Sequence, residues 1–269
     1  MDNAPSSATA IDPRALAVLR TAVEAEQSKR YLFAVDLYSE GIKLLIDNCR
    51  ATTNEKIKAA LKEKIRQYLE HAEALKRTVE QEKKKSHGYH EQLVIQENGT
   101  GFGLERVFGP YLDGELTEVE IDDAYIRHNH QIQLFLKFCA LIIKKSPNVK
   151  HIRLKTSCDG DPAKKHIQVT RLDEIRLNLL QRGIFLLIEY CDTLHDREIR
   201  FDNGWIIKIG RGLDYFKRAE PNTVEFFELD FRPCMATTVD MIYKPKRAPF
   251  PSASGPSTSG SGRDMSSRR

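Results

Sequence analysis

The residues of this chain best suited to chemistry are His195, Arg197 and Asp202, spaced as His-x-Arg-x4-Asp. An imidazole can attack phosphorus, a guanidinium two residues on can neutralise phosphate oxygens, and an aspartate can orient the pair. Phosphodiester exchange needs a nucleophile and an acid for the leaving group, two roles that a second such unit could share. His151 and Arg153 begin a second unit, but Cys158 stands where its aspartate would be. A second copy of the chain is the other source. Basic residues crowd the same half: Arg127, His195, Arg197, Arg200, Lys208, Arg211, Lys217 and Arg218. Singly these are ordinary solvated side chains. As a set they suit an anionic phospholipid headgroup, with double-stranded nucleic acid as the rival ligand. Gly210-Arg211-Gly212 lacks the third glycine of a nucleotide loop and reads as a turn. His128-Asn129-His130 has no further ligands beside it and reads as a helix entry, so neither a metal nor another cofactor is expected.

Composition sets the frame for those residues. With 269 residues the chain holds one large domain or two ordinary ones. Apolar residues at 41% and charged residues at 30% are usual for globular protein. A formal charge of +4 is too small for wholesale nucleic-acid binding, so clustering matters more than the total. The five cysteines are scattered and form no C-x-x-C pair, which fits free thiols in a reducing compartment. No apolar run approaches the roughly 20 residues of a membrane span; Ile184–Ile188, for one, has only strand length. The N-terminus lacks the basic-then-apolar pattern of a signal peptide, and a cytoplasmic location is expected.

The elements that position these residues fall into two groups. Residues 1–11 are small and polar and are expected to be disordered. Asp12-Pro13 then starts a helix whose stripe is Leu16, Leu19 and Val23, with Ala15 and Ala22 beside it. A second helix begins near Tyr31 and is apolar on two sides: Ala34, Val35, Tyr38, Ile42, Leu45 and Ile46 on one, Phe33, Leu37 and Leu44 on the other. Two covered sides describe the middle member of a bundle, and Gly41 within it marks a close helix approach. The third helix runs from Thr53-Asn54 to about Lys84, with Ile57, Leu61, Ile65, Tyr68, Ala72, Leu75 and Val79 as its core stripe. Leu69 lies off that stripe, among Lys62, Arg66, Glu73 and Lys76. Glu80–Gly88 reads as a linker. Beyond it the strand-like runs are Leu93–Ile95, Leu116–Ile121, Val149–Leu154, Ile184–Tyr190, Glu198–Phe201 and Trp205–Ile209. Helical patterns at Gln131–Lys144 and Arg171–Gln181 separate some of them, which predicts an α/β layer with a mixed sheet. Residues 246–269 are rich in Pro, Ser and Gly and are expected to be disordered.

Residues 12–84 resemble the MIT domain, a three-helix bundle. The resemblance is carried by Ala34-Val35-Asp36-Leu37-Tyr38-Ser39-Glu40-Gly41-Ile42 and by Tyr68-Leu69-Glu70-His71-Ala72-Glu73-Ala74-Leu75. The second segment is similar to a Y-L-x-R-A-E-x-L signature, with His71 where arginine is usual. The resemblance implies a groove between helices two and three that takes C-terminal helices of ESCRT-III subunits, with Ile65 and Leu69 as apolar contacts and Glu73 meeting a basic residue. Residues 89–243 resemble the phospholipase-D-like C-terminal domain of the MIT domain-containing protein 1 family. Asp123-Ala124-Tyr125-Ile126-Arg127-His128, His195 through Trp205, and Ile207 through Phe216 carry it. It implies an adaptor recruited by ESCRT-III in cytokinetic abscission and endosomal trafficking, peripheral on late endosomal membrane and at the midbody. Anionic phospholipid is its implied ligand, through Arg127, His195, Arg197, Arg200, Lys208 and Arg211; it is expected to pair as a homodimer, and nucleic acid is not an expected partner. His195-x-Arg197-x4-Asp202 then has the spacing of the phospholipase D motif, H-x-K-x4-D. Arginine in place of lysine presents its charge differently at a tight phosphate site, and only one motif is present. Both facts favour an inert relic over the alternative, an active phosphodiesterase acting on lipid or nucleic acid.

Overall fold

The computed structural model describes residues 11–85 and 88–244. The terminal stretches expected to be disordered, 1–11 apart from Ile11 and 246–269, lie outside the described residues. The chain opens with three helices, α1 (Pro13–Gln27), α2 (Tyr31–Ala51) and α3 (Glu55–Lys83). Asp12 caps α1 by accepting from the Arg14 N–H at 2.8 Å, with Pro13 in the first turn, where no backbone donor is needed. Asn54 caps α3 by accepting from the Lys56 N–H at 3.0 Å. As its two apolar sides require, α2 packs against both α1 and α3. Gly41 stands at a close approach to α1: a Cβ there would lie 2.6 Å from Leu19 Cδ2.

The expected α1 stripe needs correction. Leu16 and Val23 are exposed, and the buried set is Ala15, Leu19, Ala22 and Ala25. The alanines let the two helix backbones come close, and that contact turns the bulkier side chains outward. The charged run expected as a linker begins inside α3, whose last buried residue, Val79, joins the core of the second region.

That region is a seven-stranded mixed sheet with helices on one face. Its strands are β1 (Tyr89–Ile95), β2 (Glu118–Asp123), β3 (His151–Thr156), β4 (Phe185–Tyr190), β5 (Arg197–Phe201), β6 (Trp205–Ile209) and β7 (Thr237–Tyr243). Their spatial order is β1-β7-β6-β5-β2-β3-β4, with β2, β3 and β4 parallel and the remaining pairings antiparallel. The helices are α4 (Leu104–Phe108), α5 (Asn129–Lys145), α6 (Pro162–Leu180) and α7 (Val224–Phe227). Parallel neighbours need a crossover, and α5 and α6 supply the two that join β2, β3 and β4. The inward row Met241, Ile207, Ile199, Ile121, Leu154 and Ile188 crosses six strands in register.

At the edge of the sheet that row ends on a charge. Glu91 pairs with Met241 and is 2% exposed. Its carboxylate accepts from the Leu32 N–H at the start of α2 (2.9 Å) and from the hydroxyls of Tyr89 and Tyr111. Arg106 on α4 adds a 2.9 Å ion pair to Glu40 on α2, and the Lys83 ammonium lies over the rings of Trp205 and Tyr243. The bundle and the sheet therefore share an interface in which these charged groups surround the apolar contact of Val79, Tyr31 and Leu32 with the sheet's core.

The other face of the sheet is largely charged. One row reads Gln92, Asp240, Lys208, Glu198, Asp122, Lys155 and Glu189 across all seven strands. Arg200 in the adjoining row meets Asp122 at 2.6 Å, Glu120 at 3.3 Å and Glu198 at 3.3 Å; Arg153 meets Glu120 at 2.6 Å.

Candidate functional site

On the bundle, Leu69 stands out from α3 at 44% exposure, beside Ile65, which is half-buried against the bundle core. Val35 and Ile46 of α2 and Ile57 of α3 are likewise half-buried, which leaves an apolar border along the α2–α3 seam. Tyr38 and Tyr68 stack across that seam with ring centroids 5.9 Å apart. Glu73, one turn beyond Leu69, has no ion-pair partner among the described residues. His71 lies 2.8 Å from Glu26, which also accepts from the Tyr38 hydroxyl at 2.9 Å, so one carboxylate of α1 joins both other helices. Burial, with Glu26 adding to it, pushes the Tyr38 hydroxyl well above its ordinary pKa and keeps it a donor.

The second cluster lies at the carboxyl ends of β2 and β3, where open α/β sheets place ligands. Tyr125 follows β2 and is flanked by two guanidiniums, Arg197 at 4.4 Å and Arg127 at 5.1 Å from its ring centroid. Arg127 Nε donates to Ser157 Oγ at 2.8 Å, and Arg197 Nη1 to the Gly210 carbonyl at 2.6 Å. Beneath them Asp123 is buried and accepts from the backbone N–H groups of Tyr125 and Leu213, both at 3.0 Å. Burial raises its pKa against the pull of those donors and of Arg197. Gly212 has φ +63° in the turn after β6, and a Cβ there would run into the Asp123 carboxylate. His195 is exposed in the turn before β5 and lines an open cavity of about 480 Å³ with Arg197, Lys208, Asp196 and Asp240. Two cations face two carboxylates there.

Two family models match the chain: the MIT (microtubule interacting and transport) domain over residues 13–77, and the phospholipase D-like domain at the C-terminus of MIT over residues 101–243. Mouse MIT domain-containing protein 1 is 44% identical over 230 residues, which span 85% of this chain and 92% of the mouse protein. The chain belongs to the MIT domain-containing protein 1 family. Leu69 and Glu73 fall within its MIT module, and Arg127, His195, Arg197, Asp202, Lys208 and Arg211 within its phospholipase-D-like module. Among the described residues, no helix is long and apolar enough to cross a membrane.

The structure divides the basic residues singled out from the sequence of this family member. Arg127 and Arg197 meet on Tyr125, and His195 and Lys208 share the cavity beside Arg197. Arg200 does not join them. It lies on the open sheet face against three carboxylates, so its charge is already matched. Lys208 is also engaged, with Glu198 at 3.1 Å. Asp202 follows the far end of β5 and accepts from the Thr117 N–H at 2.9 Å. The strand between puts it on the order of 13 Å or more from the His195 end, and the triad does not assemble. Arg211 opens instead onto a separate, larger cavity. Tyr125 and Ser157 position the arginines and were not picked out as site residues; the Tyr125-x-Arg127 spacing was the available signal.

Proposed function

We propose that the chain is a non-enzymatic adaptor. In this reading its α2–α3 seam takes C-terminal helices of ESCRT-III subunits, and its phospholipase-D-like domain rests on anionic membrane during abscission and endosomal trafficking. The observation that carries it is Leu69: an apolar side chain left exposed beside half-buried Ile65, with the open carboxylate of Glu73 one turn on. An amphipathic helix docks into such a seam through apolar anchors spaced at i, i+3 and i+4, with a basic residue toward the acid. Fluorescence anisotropy with a panel of labelled ESCRT-III tail peptides tests this. Micromolar binding of at least one is expected, and no binding across the panel would remove the adaptor reading.

The motif geometry supports the non-enzymatic half. A histidine nucleophile needs an orienting partner, and no described residue hydrogen-bonds the His195 ring. No turnover of phosphatidylcholine, cardiolipin or single-stranded nucleic acid above a His195→Ala control is therefore expected. Product formed in excess of that control would favour the phosphodiesterase alternative.

Self-association through the sheet domain belongs to the same proposal. Among the described residues β4 is a free edge, and Phe185 and Leu187 on it are each 57% exposed, with Leu177 and Leu180 of α6 exposed nearby in the chain. An unpaired apolar edge invites a second strand. Light scattering is expected to give a dimer, and Leu187→Lys a monomer with unchanged circular dichroism. A monomeric parent chain would rule the pairing out.

A further inference from the structure

Val224, Phe227 and Phe231 are 62, 64 and 60% exposed, the highest values among the large apolar side chains described. They lie within one short segment, α7 and the turn after it, and that segment is anchored from below. Arg232 donates to the carbonyls of Glu225 at 2.8 Å and Phe226 at 2.6 Å; Lys137 of α5 donates to that of Phe227 at 3.1 Å. Asp230 accepts from the Gly103 N–H at 2.8 Å, and Leu229 is buried. The backbone is thus pinned with three apolar side chains directed outward. Beside them opens a cavity of about 910 Å³ with Phe226 and Leu134 in its wall. Arg211, Lys217, Arg218 and Arg232 also line it, four cations against the two carboxylates of Glu97 and Asp214. Lys217 pairs with Glu97, whose charge Arg211 also feels; Arg211 makes one hydrogen bond, from Nε to the Ala236 carbonyl at 3.2 Å, and Arg218 has no partner among the described residues.

We propose that this face is where the domain enters an anionic bilayer. Val224, Phe227 and Phe231 penetrate the headgroup–acyl boundary, and the cavity's cations take lipid phosphates. The proposal rests on the membrane reading above and moves the contact away from the His195 cavity, whose charges cancel. Fixed apolar side chains beside a cationic recess match an interface with apolar depth and anionic headgroups. Glu225 and Glu228 flank the aromatic residues, and carboxylates are costly in hydrocarbon, so penetration is shallow. A second copy is the poorer occupant: a two-fold contact sets each patch against itself and brings the two cation excesses together.

Sedimentation of the full chain with phosphatidylcholine vesicles, with and without phosphatidylserine, tests this. Binding to the acidic vesicles is expected, and Phe227→Ser with Phe231→Ser should weaken it about tenfold or more. Arg218→Glu should weaken it too, and tail-peptide affinity should stay unchanged in both variants. Phe227→Trp provides a gain of signal: brominated lipid should quench the new indole, while Trp205, 3% exposed, is unaffected in the parent chain. Parent binding that survives both variants would overturn this placement and leave the membrane reading standing. No parent binding to either vesicle would overturn both. A double variant that loses dimerisation would show that the face meets a second copy, and would also overturn the proposal.

Discussion

Leu69→Asp is expected to raise the dissociation constant of an ESCRT-III tail helix by roughly 100-fold or more while leaving the bundle folded. The two halves of that expectation have separate physical grounds. In the free protein Leu69 is nearly half exposed, so an aspartate there remains solvated and the helix loses little. The neighbouring turns have their own exposed support, with Arg66 bridging Glu63 and Glu70 at 2.6 Å each. In the complex the same position is covered by an apolar anchor, and a carboxylate buried without a partner costs several kcal/mol. A micromolar contact is worth about 8 kcal/mol in total, so such a loss puts it beyond the reach of anisotropy. Circular dichroism on the same samples separates the outcomes. Unchanged affinity would remove the groove from α3, and a loss of helicity would assign Leu69 to the core. Ile65→Asp is the contrasting substitution, because Ile65 already packs against the bundle and its replacement should lower helicity.

Glu91→Ala should be the most destabilising single truncation at the junction of bundle and sheet, at about 3–5 kcal/mol. The carboxylate satisfies three donors at once, one of them the backbone N–H of Leu32 across the junction. Its removal strands two tyrosine hydroxyls, each held above its ordinary pKa chiefly by burial and each therefore a donor. It also takes a counter-charge from Arg30, whose guanidinium burial pulls down in pKa and whose Nη1 is buried without a hydrogen-bond partner among the described residues. For a protein of this size the loss corresponds to a fall in melting temperature of roughly 10 °C. Glu91→Gln keeps the shape and one acceptor oxygen, so it should lose less. Differential scanning calorimetry makes the comparison: the parent is expected to melt in one transition, and Glu91→Ala to separate bundle from sheet. A melting temperature within a degree or two of the parent's would show that Glu91 does not hold the junction.

Glu91 also explains part of what periodicity could not reach. The sequence reads a strand only from Leu93 because an inward charge at Glu91 interrupts the alternation that extends back to Tyr89. The strand is real, and its exception is the contact between modules. The front of α6 was hidden for the opposite reason: its first two turns, with Lys164, Lys165 and His166, face solvent and show no apolar period. Asp161-Pro162 nevertheless repeats the cap-and-proline start read correctly at Asp12-Pro13, with Asp161 accepting from the Ala163 N–H at 2.8 Å. β7 was missed beside the low-complexity tail, although Val239 and Met241 alternate inward. By contrast Trp205–Ile209 was legible to its last residue, because strand, turn glycine and burial all agree. The candidate sites were less legible than the fold. Whether Arg200 is free or spent on Asp122 depends on which strand lies beside it, and cross-strand register is not written in local spacing. The exposed side chains around α7 were also out of reach, since four helical residues carry no period.

The seven-stranded sheet has two ends, and they are not equivalent. At one end α3 packs against β1, and α2 reaches the same strand through the Leu32–Glu91 contact. At the other end β4 has no neighbouring strand among the described residues, and there the charged rows of the open face give way to Phe185 and Leu187. Head-to-tail growth of a sheet needs both ends bare, because each added copy must receive a strand and offer one. With the helical bundle packed beside β1, the edge left bare of any neighbouring element among the described residues is β4. Edge-to-edge contact of the kind proposed would therefore join two molecules and then stop, as a closed pair and not a fibre.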